Sequence, residues 1–137
     1  MNDRSLLVAL MLCLAGCGKA EDGYQRYTVS GTVNLDGKPL ETGEIVFYPR
    51  KEGPVVSGAP IQNGKFSLPE STGLTAGGYR VAIKSEVVEG GGSAEDQFEN
   101  PPSVRSLIPA KYNTETTLTA EVMHGPQNVL NFDLKSE

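Results

Sequence analysis

Few residues of this chain have the types and spacing that catalysis needs. The sequence contains one histidine, His124, and two cysteines, Cys13 and Cys17. A serine nucleophile needs a base within hydrogen-bond reach and a third group that orients the base. The sequence has no Gly-x-Ser-x-Gly elbow, and His124 lies in MHGPQ, which is typical of an exposed turn. We therefore predict no catalytic residue and no enzymatic activity.

Three carboxylates, Glu95, Asp96 and Glu99, lie close enough in sequence for acid–base work or for calcium ligation by oxygen. They belong to VEGGGSAEDQFENPPS, residues 88–103, which has almost no apolar content. Such a segment buries too little surface to offset its ordering entropy, so we predict a mobile loop. The spacing of an EF-hand is absent. We expect no metal and no cofactor, and calcium binding by this loop stays open as an alternative.

Five tyrosines offer flat rings of the kind on which sugars stack. They are Tyr24, Tyr27, Tyr48, Tyr79 and Tyr112. Tyrosines at strand edges are more often ordinary residues of a β-sandwich, with the ring packed and the hydroxyl hydrogen-bonded. A glycan platform among them is therefore kept as an alternative.

Cys17 lies where an apolar segment gives way to a polar one. The apolar segment, residues 6–15, is about ten residues long, whereas a membrane-crossing helix needs about 20. This length and the small residues after it are typical of a signal peptide, which we place at residues 1–16. The alternative is a buried apolar helix, which the lack of helical periodicity and of a second helix disfavours.

The four residues Leu14-Ala15-Gly16-Cys17 resemble the lipobox of bacterial lipoproteins. The resemblance implies that the Cys17 thiol receives a diacylglycerol, that cleavage occurs just before it, and that the new amino group is acylated. It also implies a protein of the bacterial cell envelope, anchored to a membrane by lipid and facing the periplasm or the outer surface. Cys13 leaves with the signal peptide, so no thiol remains for a disulfide or a metal.

Composition limits the partners of residues 17–137. The formal net charge is −5, and loss of Asp3 and Arg4 with the signal peptide leaves it unchanged. An acidic chain without a Lys/Arg cluster argues against nucleic acid and against direct adhesion to anionic headgroups. The length suits one domain. We divide it into a polar tether, residues 17–25, and a domain, residues 26–137.

Period-two alternation predicts strands along most of the domain. The pattern is clear at residues 29–35, 79–87 and 127–134, and residues 44–49 are apolar on both faces, as in a central strand. Gln62-Asn63-Gly64-Lys65 predicts a hairpin turn. About seven strands with regular turn signals and no convincing helix predict an all-β, antiparallel Greek-key sandwich.

The stretch VSGTVNLDGKPLETGEIVFYP, residues 29–49, resembles the start of the carboxypeptidase regulatory-like, or transthyretin-like, β-sandwich domain. The matching residues are Gly31, Val33, Asp36, Gly37, Lys38, Pro39, Leu40, Gly43, Val46 and Phe47. NGKFSL and AGGYRVAI match the family's later hairpin and strand. IPAKYN, TTLTAEV and NFDL resemble the ending of a group of short bacterial lipoproteins.

This resemblance implies a fold more than a chemistry, because family members serve as accessory modules on peptidases and as adhesion or stalk domains. Transthyretin relatives that hydrolyse 5-hydroxyisourate use several histidines and a C-terminal Tyr-Arg-Gly-Ser, whereas this chain ends in LKSE. We therefore expect a lipid-anchored cell-envelope protein with a non-enzymatic structural or interaction role. The alternatives are a glycan- or small-ligand-binding module and an accessory subunit of an envelope enzyme.

Overall fold

The alternation of apolar and polar residues builds the first strand as the sequence predicts. Val29 and Val33 are fully buried, whereas Ser30 and Thr32 between them lie on the other face and are partly exposed. The computed structural model describes residues 23–51 and 55–137. The predicted signal peptide, Cys17 and residues 17–22 of the predicted tether lie outside the described residues.

Within the described residues the chain forms ten strands, one single-turn α-helix and two 3-10 turns. The strands are β1 (Val29–Leu35), β2 (Lys38–Pro39), β3 (Thr42–Pro49), β4 (Ser57–Gln62), β5 (Lys65–Leu68), β6 (Gly77–Lys84), β7 (Glu86–Glu89), β8 (Ser103–Ser106), β9 (Thr119–Val122) and β10 (Asn128–Leu134). The helix is α1 (Asp96–Glu99), and the 3-10 turns are Glu70–Thr72 and Ala110–Tyr112.

Eight strands form one curled sheet in the order β10-β1-β5-β4-β3-β6-β9, with β2 against β1. Strands β4 and β5 pair through Gln62 and Lys65 beside their turn, and the sheet bends there from one layer to the other. Across the core between the layers, Phe47 of β3 meets Phe66 of β5 with ring centres 6.0 Å apart. The predicted all-β sandwich is therefore confirmed, and β3 is the central strand that its two apolar faces predict.

The first and last strands pair in parallel, while the other pairs of the described sheets are antiparallel. The register runs from Val29 with Asn128 to Leu35 with Leu134. Strand β10 begins at the same end as β1, where the Asn128 amide donates to the Thr28 carbonyl at 3.2 Å. The turn after β9 brings the chain back to that end of the sheet. Strand β10 therefore runs in the same direction as β1, and this pair is parallel.

The segment after β6 differs from the prediction in two ways. The predicted strand 79–87 is two strands, because the chain leaves the main sheet at Ser85, whose buried hydroxyl donates to the Thr42 carbonyl at 2.6 Å. The predicted loop 88–103 is shorter, because β7 and β8 pair Val88 with Val104 and α1 lies between them. The mobility of the remaining residues, 90–102, stays a prediction.

The hairpin turn at Asn63 and Gly64 is confirmed, with φ angles of 51° and 74°. We expect Gly64→Ala to lower the free energy of unfolding by about 2–3 kcal/mol. A Cβ there meets Pro39 Cβ at 2.6 Å in addition to the strain of positive φ. Gly37→Ala is the matched control, because Gly37 has φ 79° with nothing within 4 Å, and its cost is about 1 kcal/mol. Urea unfolding measures both, and equal losses would contradict the prediction.

The C-terminus is held to the β1–β2 turn by Asp36. The Ser136 amide donates to Asp36 Oδ1 at 3.0 Å, and the Asp36 amide donates to the Leu134 carbonyl at 2.9 Å. Hydrogen bonds from the Ser136 side chain and amide lower the pKa of Asp36 below its ordinary value, and Lys135 adds a smaller coulombic effect. The ionised carboxylate is therefore favoured in the folded chain.

We expect Asp36→Asn to reduce the acid sensitivity of folding. A lowered folded-state pKa contributes stability above the ordinary carboxyl pKa, and this contribution is lost as the pH falls through the lowered value. Asparagine tolerates the positive φ of 52° at this position. Urea midpoints from pH 7 down to pH 2 test this, with Ser136→Ala expected to fall between wild type and Asp36→Asn. An unchanged pH profile in Asp36→Asn is the opposing result.

Candidate functional site

An open groove lies at one end of the sandwich, where β3 ends, β6 begins and β9 ends. Its volume is about 800 Å³. The lining residues come from four separate stretches of the chain and are Tyr24, Pro49, Arg50, Lys51, Thr75, Ala76, Gly77, Gly78, Tyr79 and Glu121. The groove therefore combines two tyrosine rings, two cations, one carboxylate and glycine backbone.

The floor of this groove is shaped by Gly77 and Gly78. Gly77 has φ 138°, a conformation that favours glycine. At Gly78 a Cβ would lie 3.2 Å from Glu121 Oε2 and 3.4 Å from Arg50 Cδ, so the absent side chain leaves room between the two charged groups. The Arg50 amide donates to the Gly78 carbonyl at 3.0 Å and fixes the end of β3 against the start of β6.

The two tyrosines that line the groove differ in accessibility. Tyr79 is 2% exposed, and its hydroxyl lies 2.9 Å from Thr75 Oγ1 and donates to the Thr75 carbonyl at 3.1 Å. Tyr24 is 48% exposed. Tyr79 is thus a structural wall, whereas Tyr24 presents ring surface to solvent.

A smaller pocket of about 330 Å³ adjoins the groove and shares Pro49 and Arg50 with it. Arg80 and the threonines Thr116, Thr117 and Thr119 complete its lining. The Arg80 guanidinium lies 5.5 Å from the ring centre of Tyr48, a cation–π contact that orients it. Groove and pocket together form a continuous surface with three cations, suited to a ligand that carries hydroxyl and anionic groups.

His124 lies in the exposed turn after β9, as the sequence predicts. Its Nδ1 is 2.7 Å from the hydroxyl of Tyr27, and the two rings meet edge to face with centres 5.4 Å apart. Tyr27 also bridges to Leu74 through both backbone hydrogen bonds. The Tyr27–His124 contact therefore connects the beginning of the domain to the β9–β10 turn.

The three predicted carboxylates lie around α1 and are exposed. Asp96 Oδ2 accepts from the Ser93 amide at 3.1 Å and from the Ser93 hydroxyl at 2.7 Å, so it stabilises the local turn. Glu95 precedes α1 and Glu99 ends it. In the described part of the chain no group of three or more His, Cys, Asp or Glu side chains is placed to hold a metal ion.

Of the remaining predicted tyrosines, Tyr112 packs partly on the core and its hydroxyl accepts from the Lys135 amide at 3.0 Å. Sequence reasoning did not select Arg50, Lys51 or Glu121 as groove residues. The available signal was the Gly-Gly pair that begins β6, because glycines at a strand end leave room for a close approach. Cys13 and Cys17 lie outside the described residues.

Across residues 23–51 and 55–137, no helix is long and apolar enough to cross a membrane. No family model matches the chain, and no curated protein matches it. Among solved structures, the chain is similar to a crystal structure of a 9R-lipoxygenase from Cyanothece PCC8801, with 15% sequence identity and a TM-score of 0.38. The match covers 81% of this chain and 16% of that chain, so it concerns a small part of the larger protein.

Proposed function

We propose that this chain is a lipid-anchored protein of the bacterial cell envelope with a non-enzymatic interaction role, attached through Cys17 and facing the periplasm or the outer surface. The lipobox-like Leu14-Ala15-Gly16-Cys17 supports the anchor. The observation that carries the interaction role is the separation of two ends of the sandwich. Residues 24–27 meet the start of β6, whereas the projecting β7–β8 pair follows its end.

Arrangement of the polar side chains supports a role without catalysis. The imidazole of His124 is hydrogen-bonded to Tyr27, and the carboxylate of Asp96 is hydrogen-bonded to Ser93. Both groups therefore have structural hydrogen-bond partners, and they lie in different connections of the fold. We include in this proposal that the sandwich is a carboxypeptidase regulatory-like, or transthyretin-like, domain. The positive φ angles of Asp36 and Gly37 and the close approach of Leu130 to Gly31 support it, because both features fit the residues on which the resemblance rests.

The lipid anchor is tested by detergent phase partitioning of chains expressed in a bacterium. Wild type and Cys13→Ser are expected in the detergent phase. Cys17→Ser is expected in the aqueous phase, because it has no thiol to carry the diacylglycerol and a stable anchor needs two or more acyl chains. Detergent-phase recovery of Cys17→Ser would refute attachment through Cys17.

A second candidate function is glycan or small-ligand binding in the groove. The observation that favours it is the pairing of the exposed Tyr24 ring with Arg50 and Glu121 across a glycine floor. Aromatic faces with a few convergent polar groups are typical of such sites. A glycan array followed by thermal shift tests it, with and without calcium. A genuine ligand is expected to lose its shift with Tyr24→Ala and to keep it with Val129→Ala, which alters an exposed residue of β10.

A further inference from the structure

Strands β7 and β8 form a separate two-stranded sheet that projects from the sandwich; we call residues 86–106 the arm. Its register pairs Val88 with Val104 and Glu86 with Ser106 on one face. On the other face Arg105 Nε donates to Glu89 Oε1 at 2.7 Å, and Val87 is partly buried. The arm thus has an inner face with its own ion pair and an outer face with a valine pair.

The outer face of the arm exposes apolar surface. Val88 is 68% exposed and Val104 is 63% exposed. Phe98 of α1, in the connection from β7 to β8, is 92% exposed. In the described residues no third strand pairs with either edge of the arm. A two-stranded sheet is marginally stable alone, and its unpaired N–H and C=O groups are templates for another strand. An unpaired edge of the arm beside the valine pair therefore suits an added strand whose side chains alternate between apolar and polar.

Charge selects among the occupants of this face. The arm carries five carboxylates and one cation, Arg105. The carboxylates are Glu86, Glu89, Glu95, Asp96 and Glu99. Like charges oppose pairing of two arms and oppose contact with an anionic lipid surface, whereas a basic segment is attracted. Successive side chains of a strand point to opposite faces. Apolar residues at every second position of the partner therefore extend the face of the valine pair, and the basic residues between them lie on the face that carries Glu89.

Position also separates the arm from the end where the described chain begins. Tyr24 lies beside Gly77 and Gly78 at the start of β6, and the arm follows Lys84 at its end. Eight residues of strand span roughly 25 Å. An anchor that precedes Tyr24 therefore leaves the arm at the distal end of the sandwich, accessible to another protein.

We propose that the arm binds an extended protein segment of alternating basic and apolar residues, which adds as a third strand along an outer edge and continues the apolar face formed by Val88 and Val104. This inference deepens the proposed function, because it names the surface and the partner chemistry of the anchored module. Backbone hydrogen bonds to the arm provide affinity, and the valine pair and carboxylates provide selectivity.

The experiment uses the full chain in detergent and a fluorescent eight-residue peptide of alternating lysine and valine, followed by anisotropy. We expect saturable binding that weakens with salt. The double variant Val88→Ser/Val104→Ser is expected to bind at least about tenfold more weakly, since the apolar face that the added strand would extend is lost. Val129→Ser is the matched control, because Val129 is also 63% exposed and lies on β10. It is expected to bind as wild type does.

Two further peptides separate strand addition from other modes of binding. A peptide with the same side chains but N-methylated at every amide has no N–H on either edge and cannot extend a sheet. A peptide with glutamate in place of lysine has the wrong charge. Neither is expected to bind. Equal binding of the N-methylated peptide would overturn strand addition, and unchanged affinity of the double variant would overturn the role of the valine pair.

The rival occupants give their own results in the same preparation. A dimer in sedimentation that the double variant abolishes would assign the face to a second copy. Co-sedimentation with phosphatidylglycerol vesicles that the double variant abolishes would assign it to lipid. Either result overturns the proposal. Cys17→Ala is expected to bind the lysine–valine peptide as wild type does, so failure of the anchor and failure of the arm are distinguishable.

Discussion

Cells fed radiolabelled palmitate are expected to label the wild-type chain and Cys13→Ala and to leave Cys17→Ala unlabelled. The diacylglycerol thioether needs a thiol at position 17, and the new amino group is exposed only after cleavage before it. Cys13 is the matched control, because it is four residues away in the same segment and leaves with the predicted signal peptide. The expected difference is all or none, measured by autoradiography at equal protein amounts.

Mass spectrometry of the mature chain adds an independent measurement to the labelling. The N-terminal peptide is expected to begin at Cys17 and to carry the mass of the attached acyl chains. Equal label in Cys17→Ala and wild type would exclude lipid attachment at this residue. An unmodified chain that begins at Met1 would exclude the signal peptide as well.

Phe47→Ala is expected to lower the free energy of unfolding by about 3–5 kcal/mol. Phe47 is fully buried and contacts rings in both layers, with Phe66 at 6.0 Å and Tyr79 at 6.3 Å between ring centres. Its truncation removes the side chain that joins β3 to the opposite layer and leaves a cavity between them. Urea unfolding followed by circular dichroism measures the loss, which is a large fraction of the stability of a typical domain.

Phe98→Ala is the matched control for this prediction, since the same atoms are removed from a side chain that is 92% exposed. Its effect on the free energy of unfolding is expected to stay within about 0.5 kcal/mol. Comparable losses in the two variants would contradict the position of Phe47 at the centre of the core.

Local signals account for the parts of the fold that the sequence predicted. Period-two burial of Val29 and Val33 follows from the pleat of a strand, and the Asn63-Gly64 turn follows from the two residues that tolerate positive φ. Strand β8 was missed because its sequence, SVRS, has a single apolar residue and therefore shows no alternation. It exists through its register with β7, which is not a local property.

The candidate groove was only partly predictable for the same reason. Tyr24 was one of five candidate tyrosines. Its polar surroundings distinguish it from Tyr79, which begins an alternating strand and is buried, but they do not indicate which side chains lie beside it. Arg50 and Glu121 approach each other because the end of β3 and the end of β9 both flank the start of β6. Side chains 71 positions apart in sequence meet there through sheet order, which alternation alone does not specify.

The parallel pairing of β1 with β10 sets the order in which the chain assembles. Thr32 and Asn131, joined by a 2.9 Å hydrogen bond between their side chains, are 99 positions apart. Contacts of such long sequence separation raise the contact order and slow folding, because the entropy cost of closing the loop is incurred before the pairing contacts can stabilise the chain. Because synthesis runs from the N-terminus, β1 is the first of the described strands to be made and β10, its parallel partner, is the last. Residues 128–134 must therefore appear before the first strand of this sandwich gains its parallel partner.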